Sequence, residues 1–111
     1  MPNVIAAPIV DLIFDVDCPN VDEARTLLRT ALTETGYSAT WREWDREAPE
    51  TPAALRGLGS PTILVNGTDV SGGADSSAPA DRANCCRVYR NGERLRGVPA
   101  LSTVILALRR F

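Results

Sequence analysis

The stretch Ile9-Val10-Asp11-Leu12-Ile13-Phe14-Asp15-Val16-Asp17-Cys18-Pro19-Asn20-Val21-Asp22-Glu23-Ala24 decides how this 111-residue chain is read. Ile9 to Phe14 is apolar apart from Asp11, rich in branched residues and hardly alternating, which is the pattern of a strand buried on both faces. Asp15 to Asn20 is a polar loop. Asn20 stands where a helix would be capped, and Glu23, three residues on, would complete a capping box. Asp22 and Glu23 also suit the positive end of a helix. Ala24, Leu27, Leu28, Ala31 and Leu32 then recur at helical spacing until Gly36 breaks the pattern. The spacing predicts a helix over 21–35, so the chain opens on a strand, a cysteine-bearing loop and a helix.

Working outward, Ser38 to Trp44 reads as a second strand, with a tryptophan on each face and so no clear choice of buried side. Both Trp41 and Trp44 are expected to pack rather than to form a binding cage. Thr51-Pro52 offers a cap followed by proline at the first helical position, opening a short helix to about Arg56. Thr62 to Val65 is a third strand, and Asn66-Gly67 is a two-residue hairpin turn that returns residues 68–70 antiparallel. Residues 71–84 are small, polar and Gly/Pro-containing, which predicts a long loop. Cys85 to Tyr89 reads as semi-extended and Arg90-Asn91-Gly92 as a turn. Pro99 opens a last helix to about Arg110, with Leu101, Val104, Ile105 and Leu108 on one face. Residues 1–8 read as a loose leader.

The resulting order, β-α-β-α-β-β-α, predicts an α/β fold. Its four-stranded mixed sheet has helices on both faces, all in one domain over residues 1–111. This order resembles the thioredoxin fold. Cys18-Pro19 falls between the first strand and the first helix, where thioredoxin-like proteins carry their nucleophile. Ser60-Pro61-Thr62, just before the third strand, resembles the family's cis-proline motif. More narrowly, three segments are similar to those of short bacterial thioredoxin-family or alkylmercury-lyase-like proteins: Cys18-Pro19-Asn20, Gly59-Ser60-Pro61-Thr62 and Cys86-Arg87-Val88-Tyr89. The resemblance runs from about residue 9 to 110. It implies that Cys18 is the reactive thiol, that Ser60, Pro61 and Thr62 line the substrate site, and that the backbone beside Pro61 is free to pair with an extended substrate. Val21 stands where a dithiol motif has its second cysteine, so any resolving thiol has to come from Cys85 or Cys86.

Composition narrows the chemistry further. The chain has no histidine, which removes imidazole general bases, Ser–His and Cys–His dyads and His-ligated zinc. All 12 basic residues are arginines, so Schiff-base chemistry and a phosphate-loop lysine are absent too. A net charge of −2 argues against nucleic acid or an anionic membrane as partner. No apolar run reaches the length of a membrane span. Three cysteines cannot all pair within one chain, which fits a reducing compartment, and the expected location is the cytoplasm.

These residues support three functions. In thiol–disulfide exchange, Cys18 attacks a protein or low-molecular-weight disulfide, and Cys86 or external glutathione resolves the product, with no cofactor. A thiol at a helix start sees amide N–H groups that favour the thiolate, while Asp17 and Asp15 oppose it. Arg82 and Arg87 flank the late cysteines, where a positive charge favours a thiolate, but both are expected to be ordinary surface arginines. In the second reading, Cys18, Cys85 and Cys86 bind mercury or another soft metal ion, and Asp17 donates the proton for cleaving a carbon–mercury bond. Adjacent residues of a strand face opposite ways, so one of Cys85 and Cys86 turns toward Cys18 or one of them lies in the core. Asp45, Glu47 and Glu50 lack metal-ligand spacing and read as a solvated rim. In the third reading the fold is a non-enzymatic interaction domain.

Overall fold

The computed structural model describes residues 7–71, 89–91 and 94–110. The expected leader (except residues 7 and 8), the expected loop 71–84 beyond Ser71, and Cys85, Cys86, Arg82 and Arg87 lie outside the described residues. The elements are β1 (Val10–Phe14), α1 (Val21–Glu34), β2 (Arg42–Asp45), α2 (Ala53–Arg56), β3 (Thr62–Val65), β4 (Thr68–Asp69), β5 (Tyr89–Asn91), β6 (Arg94–Arg96) and α3 (Leu101–Arg109).

The first four strands form one mixed sheet in the order β2-β1-β3-β4, and β5 and β6 pair as a separate antiparallel ribbon. β1 runs parallel to β2 and antiparallel to β3. The fold is therefore α/β with a four-stranded mixed sheet, as the element order predicts. The ribbon was expected only as a turn at Arg90-Asn91-Gly92, because two three-residue strands are too short to show a period.

Alternation along β1 separates two faces. Val10 and Leu12 join Ile63 and Val65 in the main core, beneath Val21, Ala24, Leu28, Ala31 and Leu32 of α1 and Val104, Ala107 and Leu108 of α3. Helices were expected on both faces, yet the two that exceed a single turn share this one. On the other face Ile13 is fully buried, and buried Asp11 accepts Nε–H (2.7 Å) and Nη2–H (3.1 Å) from Arg42 and Nε1–H (2.9 Å) from Trp44. That bond gives Trp44 its place. Trp41 is half-buried against the core on the opposite side of β2. Its ring N–H donates to Glu43, which also holds Arg25 of α1.

Several element ends differ from expectation for local reasons. Leu32 and Thr33 carbonyls accept the N–H groups of Tyr37 and Gly36, and Gly36 sits at φ +87°, so α1 ends in a Schellman turn at the expected glycine. β2 starts at Arg42 rather than at Ser38, because the Thr40 N–H turns back to the Ser38 carbonyl before the chain meets β1. Thr51 does not cap α2; its hydroxyl donates to the Asp45 carbonyl. Leu101, expected on the buried face of the last helix, is 37% exposed in its first turn. The Asn66-Gly67 turn forms as expected, both residues at positive φ, and the Asn66 side chain accepts the Ile9 N–H.

Candidate functional site

The site lies where β1 ends and β3 begins. Because these strands are antiparallel neighbours, with Ile13 opposite Thr62, the loop leaving β1 meets the segment entering β3. Asp15 donates its N–H to the Ser60 hydroxyl at 2.9 Å and accepts the Cys18 N–H on its carbonyl at 2.9 Å. That turn folds Cys18 over Ser60. The Cys18 thiol donates to the Ser60 carbonyl, with Sγ 3.8 Å from the oxygen. The Ser60–Pro61 peptide bond is cis. On its far side the Pro61 carbonyl accepts the hydroxyl of Tyr89, a buried residue of β5.

Cys18, Ser60 and Pro61 are therefore brought together, and all three are buried. Thr62 follows as the first residue of β3, where its hydroxyl donates to the Gly59 carbonyl. The backbone beside Pro61, expected to be free for a substrate, has both of its carbonyls engaged within the chain, Ser60's by the thiol and Pro61's by Tyr89. Asp17, the expected proton donor, lies on the exposed rim of the loop. Cys85 and Cys86 lie outside the described residues. Among the described residues, Cys18 is a free thiol, and no cluster of three acidic or cysteine side chains is placed to hold a metal ion.

Asn20 does not act as the expected helix cap. Its backbone sits near φ −99°, ψ 3°, outside the extended conformation that aims a capping side chain at the first turn, and no cap bond forms. Its amide instead lies against Gly97. A Cβ on that glycine would fall 2.3 Å from Asn20 Nδ2. Asn20, two residues after Cys18 and immediately before α1, is thus seated directly on the segment between β6 and α3.

Two residues of this environment escape a reading of the sequence. Asp15 is visible there only as a charge near Cys18, but its carboxylate forms a nearly buried ion pair with Arg46, 2.8 Å from Nη1. Arg46 is one arginine among twelve and carries no signal at all. Tyr89 does have a signal, as the last residue of the Cys-Arg-x-Tyr segment.

No protein-family model, curated protein or solved structure matches this chain. Among the described residues, no helix is long and apolar enough to cross a membrane.

Proposed function

We propose that this chain is a thioredoxin-like thiol–disulfide exchange protein acting through Cys18 in a reducing compartment, the cytoplasm. The observation that carries the reading is the contact of the Cys18 thiol with the carbonyl of a cis Ser60–Pro61 bond, 3.8 Å away, at the start of α1. The sheet order β2-β1-β3-β4 supports it, since it brings Cys18 and Ser60, 42 residues apart, to the same end of the two central strands.

In the exchange, the Cys18 thiol loses its proton to solvent and attacks one sulfur of a substrate disulfide. A Cys18–substrate disulfide forms and the other substrate sulfur leaves as a thiolate. Cys86 then attacks the Cys18 sulfur, releasing the second substrate thiol and leaving a Cys18–Cys86 disulfide; two electrons have passed to the substrate. A dithiol protein or two equivalents of glutathione return them. Support for Cys86 in this role is that Tyr89, three residues later, is anchored on Pro61.

The test is reduction of a model disulfide in glutathione-coupled and thioredoxin-coupled assays. Cys18→Ser is expected to abolish turnover, and Cys86→Ser to leave a substrate adduct on Cys18 detectable by intact mass. Absence of turnover by the wild type in both assays overturns the reading.

A further inference from the structure

The loop that carries Cys18 is fixed from behind by a residue thirty-odd positions away. Asp15 already binds both halves of the site through its backbone, to Ser60 and to Cys18. Its carboxylate, 10% exposed, meets the guanidinium of Arg46, 12% exposed. The other two donors of that guanidinium, Nε and Nη2, reach the Arg56 carbonyl at the end of α2, at 3.2 and 3.1 Å. The Arg46 backbone N–H donates to the Phe14 carbonyl at the end of β1, at 2.9 Å. One residue therefore ties β1, the Cys18 loop and α2 together, β1 through its backbone and the other two through its side chain. It also sets a fixed positive charge against the carboxylate in the same turn as the thiol. A guanidinium suits this because its planar fork can serve two acceptors in fixed directions, which an ammonium does less well.

We infer that Arg46 is a positioning residue for Cys18, acting through Asp15. It holds the turn that places the sulfur over Ser60, and it balances the negative charge beside the thiol, so it sets both the rate and the charge preference of Cys18 toward an incoming electrophile. This deepens the exchange reading by naming a residue that governs the same thiol, but it is measured without any disulfide substrate.

The experiment is alkylation of the reduced, folded full-length chain by neutral iodoacetamide and by anionic iodoacetate. Cys18 is quantified by mass spectrometry in the tryptic peptide that ends at Arg25, the first arginine of the chain. Removing Arg46 as R46M leaves Asp15 uncompensated. The iodoacetate rate is expected to fall roughly threefold to tenfold, and by more than the iodoacetamide rate, the scale of one unit charge acting across a partly wet boundary. In a D15N background the same substitution is expected to change the iodoacetamide rate by less than about twofold, because the positioning runs through the carboxylate, while the extra loss toward iodoacetate persists, because a unit positive charge is removed in either background. A wild-type iodoacetamide rate or a wild-type ratio in R46M, or an equal fall of the iodoacetamide rate in both backgrounds, overturns the inference. Should R46M fail to fold by circular dichroism, R46K takes its place. It keeps the charge but not the fork, so both rates should fall while their ratio stays at the wild-type value; unchanged rates or a changed ratio overturn the inference. Unreactive wild-type Cys18 overturns this inference and the exchange reading together. A reactive Cys18 that ignores Arg46 overturns the inference alone.

Discussion

Adding a single methyl group at Gly97 probes how the start of α1 is held. A Cβ there would lie 2.3 Å from Asn20 Nδ2, 2.4 Å from Cγ and 2.7 Å from Oδ1, all well inside contact distance. Asn20 would have to retreat by about 1 Å to restore ordinary packing, and overpacking on this scale typically costs about 1–3 kcal/mol. Since no cap bond anchors the amide, the lower half of that range applies, about 1–2 kcal/mol for Gly97→Ala. The backbone adds no penalty of its own, because Gly97 is outside the left-handed region. Freed of the clash, the same substitution should stabilise by about 0.4–1 kcal/mol through a less flexible unfolded chain. Asn20→Ala alone should cost less than about 0.5 kcal/mol, whereas loss of a working cap costs about 1. The cycle therefore has an unusual sign pattern. G97A is destabilising in the wild type and neutral to stabilising in an N20A background, with a coupling of about 2 kcal/mol. Thermal and urea unfolding followed by far-ultraviolet circular dichroism would read it, at about 4 °C per kcal/mol for a domain of this size. An equal cost of G97A in both backgrounds would refute the packing argument. A full cap-sized cost for N20A would refute the claim that Asn20 seats α1 rather than capping it.

Two further perturbations test other contacts. Tyr89→Phe removes the hydroxyl that donates to the Pro61 carbonyl, and it should lower stability by about 1–3 kcal/mol in urea unfolding; a change below about 0.5 kcal/mol would mean the bond contributes nothing net. Glu43 is held below the usual carboxyl range chiefly by its hydrogen bond from Arg25, with smaller help from the Trp41 ring N–H and the Arg25 charge, against an opposing effect of burial. A lowered folded value means that the stabilisation is present above the unfolded value near 4.5 and is lost as pH falls through the folded one. Glu43→Gln should therefore cost under about 1 kcal/mol at pH 7 and show a shallower loss of stability than wild type below about pH 4.5. Parallel stability–pH curves for the two proteins would contradict this.

The parts of the fold that could be read from sequence are those whose signals are local. The run of β1, apolar but for Asp11, the Ala/Leu spacing of α1, Gly36 at its end and the Asn66-Gly67 turn each act through a few neighbouring residues, and each is found in place. Local signals mislead where a side chain leaves its commonest local job for a distant partner. Asn20 and Thr51 are good caps by type, yet Asn20 packs on Gly97 and Thr51 donates to Asp45. β2 starts only at Arg42, later than its composition suggests, because a strand needs a partner and β1 offers none before that residue. Asp15 and Arg46 are unremarkable apart from each other, so only the folded chain pairs them.

Cys18 and Ser60 meet because of strand register, and this follows from the pairing itself. The antiparallel ladder runs from Val10 opposite Val65 to Ile13 opposite Thr62. Continued one step, it sets Phe14 against Pro61 at a rung that carries no hydrogen bond, because alternate residues of β1 turn their backbone groups to β3 and to β2, so the missing N–H of proline costs this pairing nothing. The Phe14 carbonyl faces the other way and accepts the Arg46 N–H, continuing the parallel ladder with β2. A further step sets Asp15 against Ser60, and the Asp15 N–H finds the serine hydroxyl. Cys18 then folds back over this last rung through its own bond to Asp15. Past Thr62 the backbone pairing of β1 with β3 thus gives way to the bond from the Asp15 N–H to the serine side chain, and the cysteine turn begins there. A register slip by one residue would turn Leu12 and Ile13 to the wrong faces, burying Asp11 in the main core and detaching it from Arg42 and Trp44. The packing of β1 that is legible in the sequence therefore also fixes where the Cys18 thiol sits.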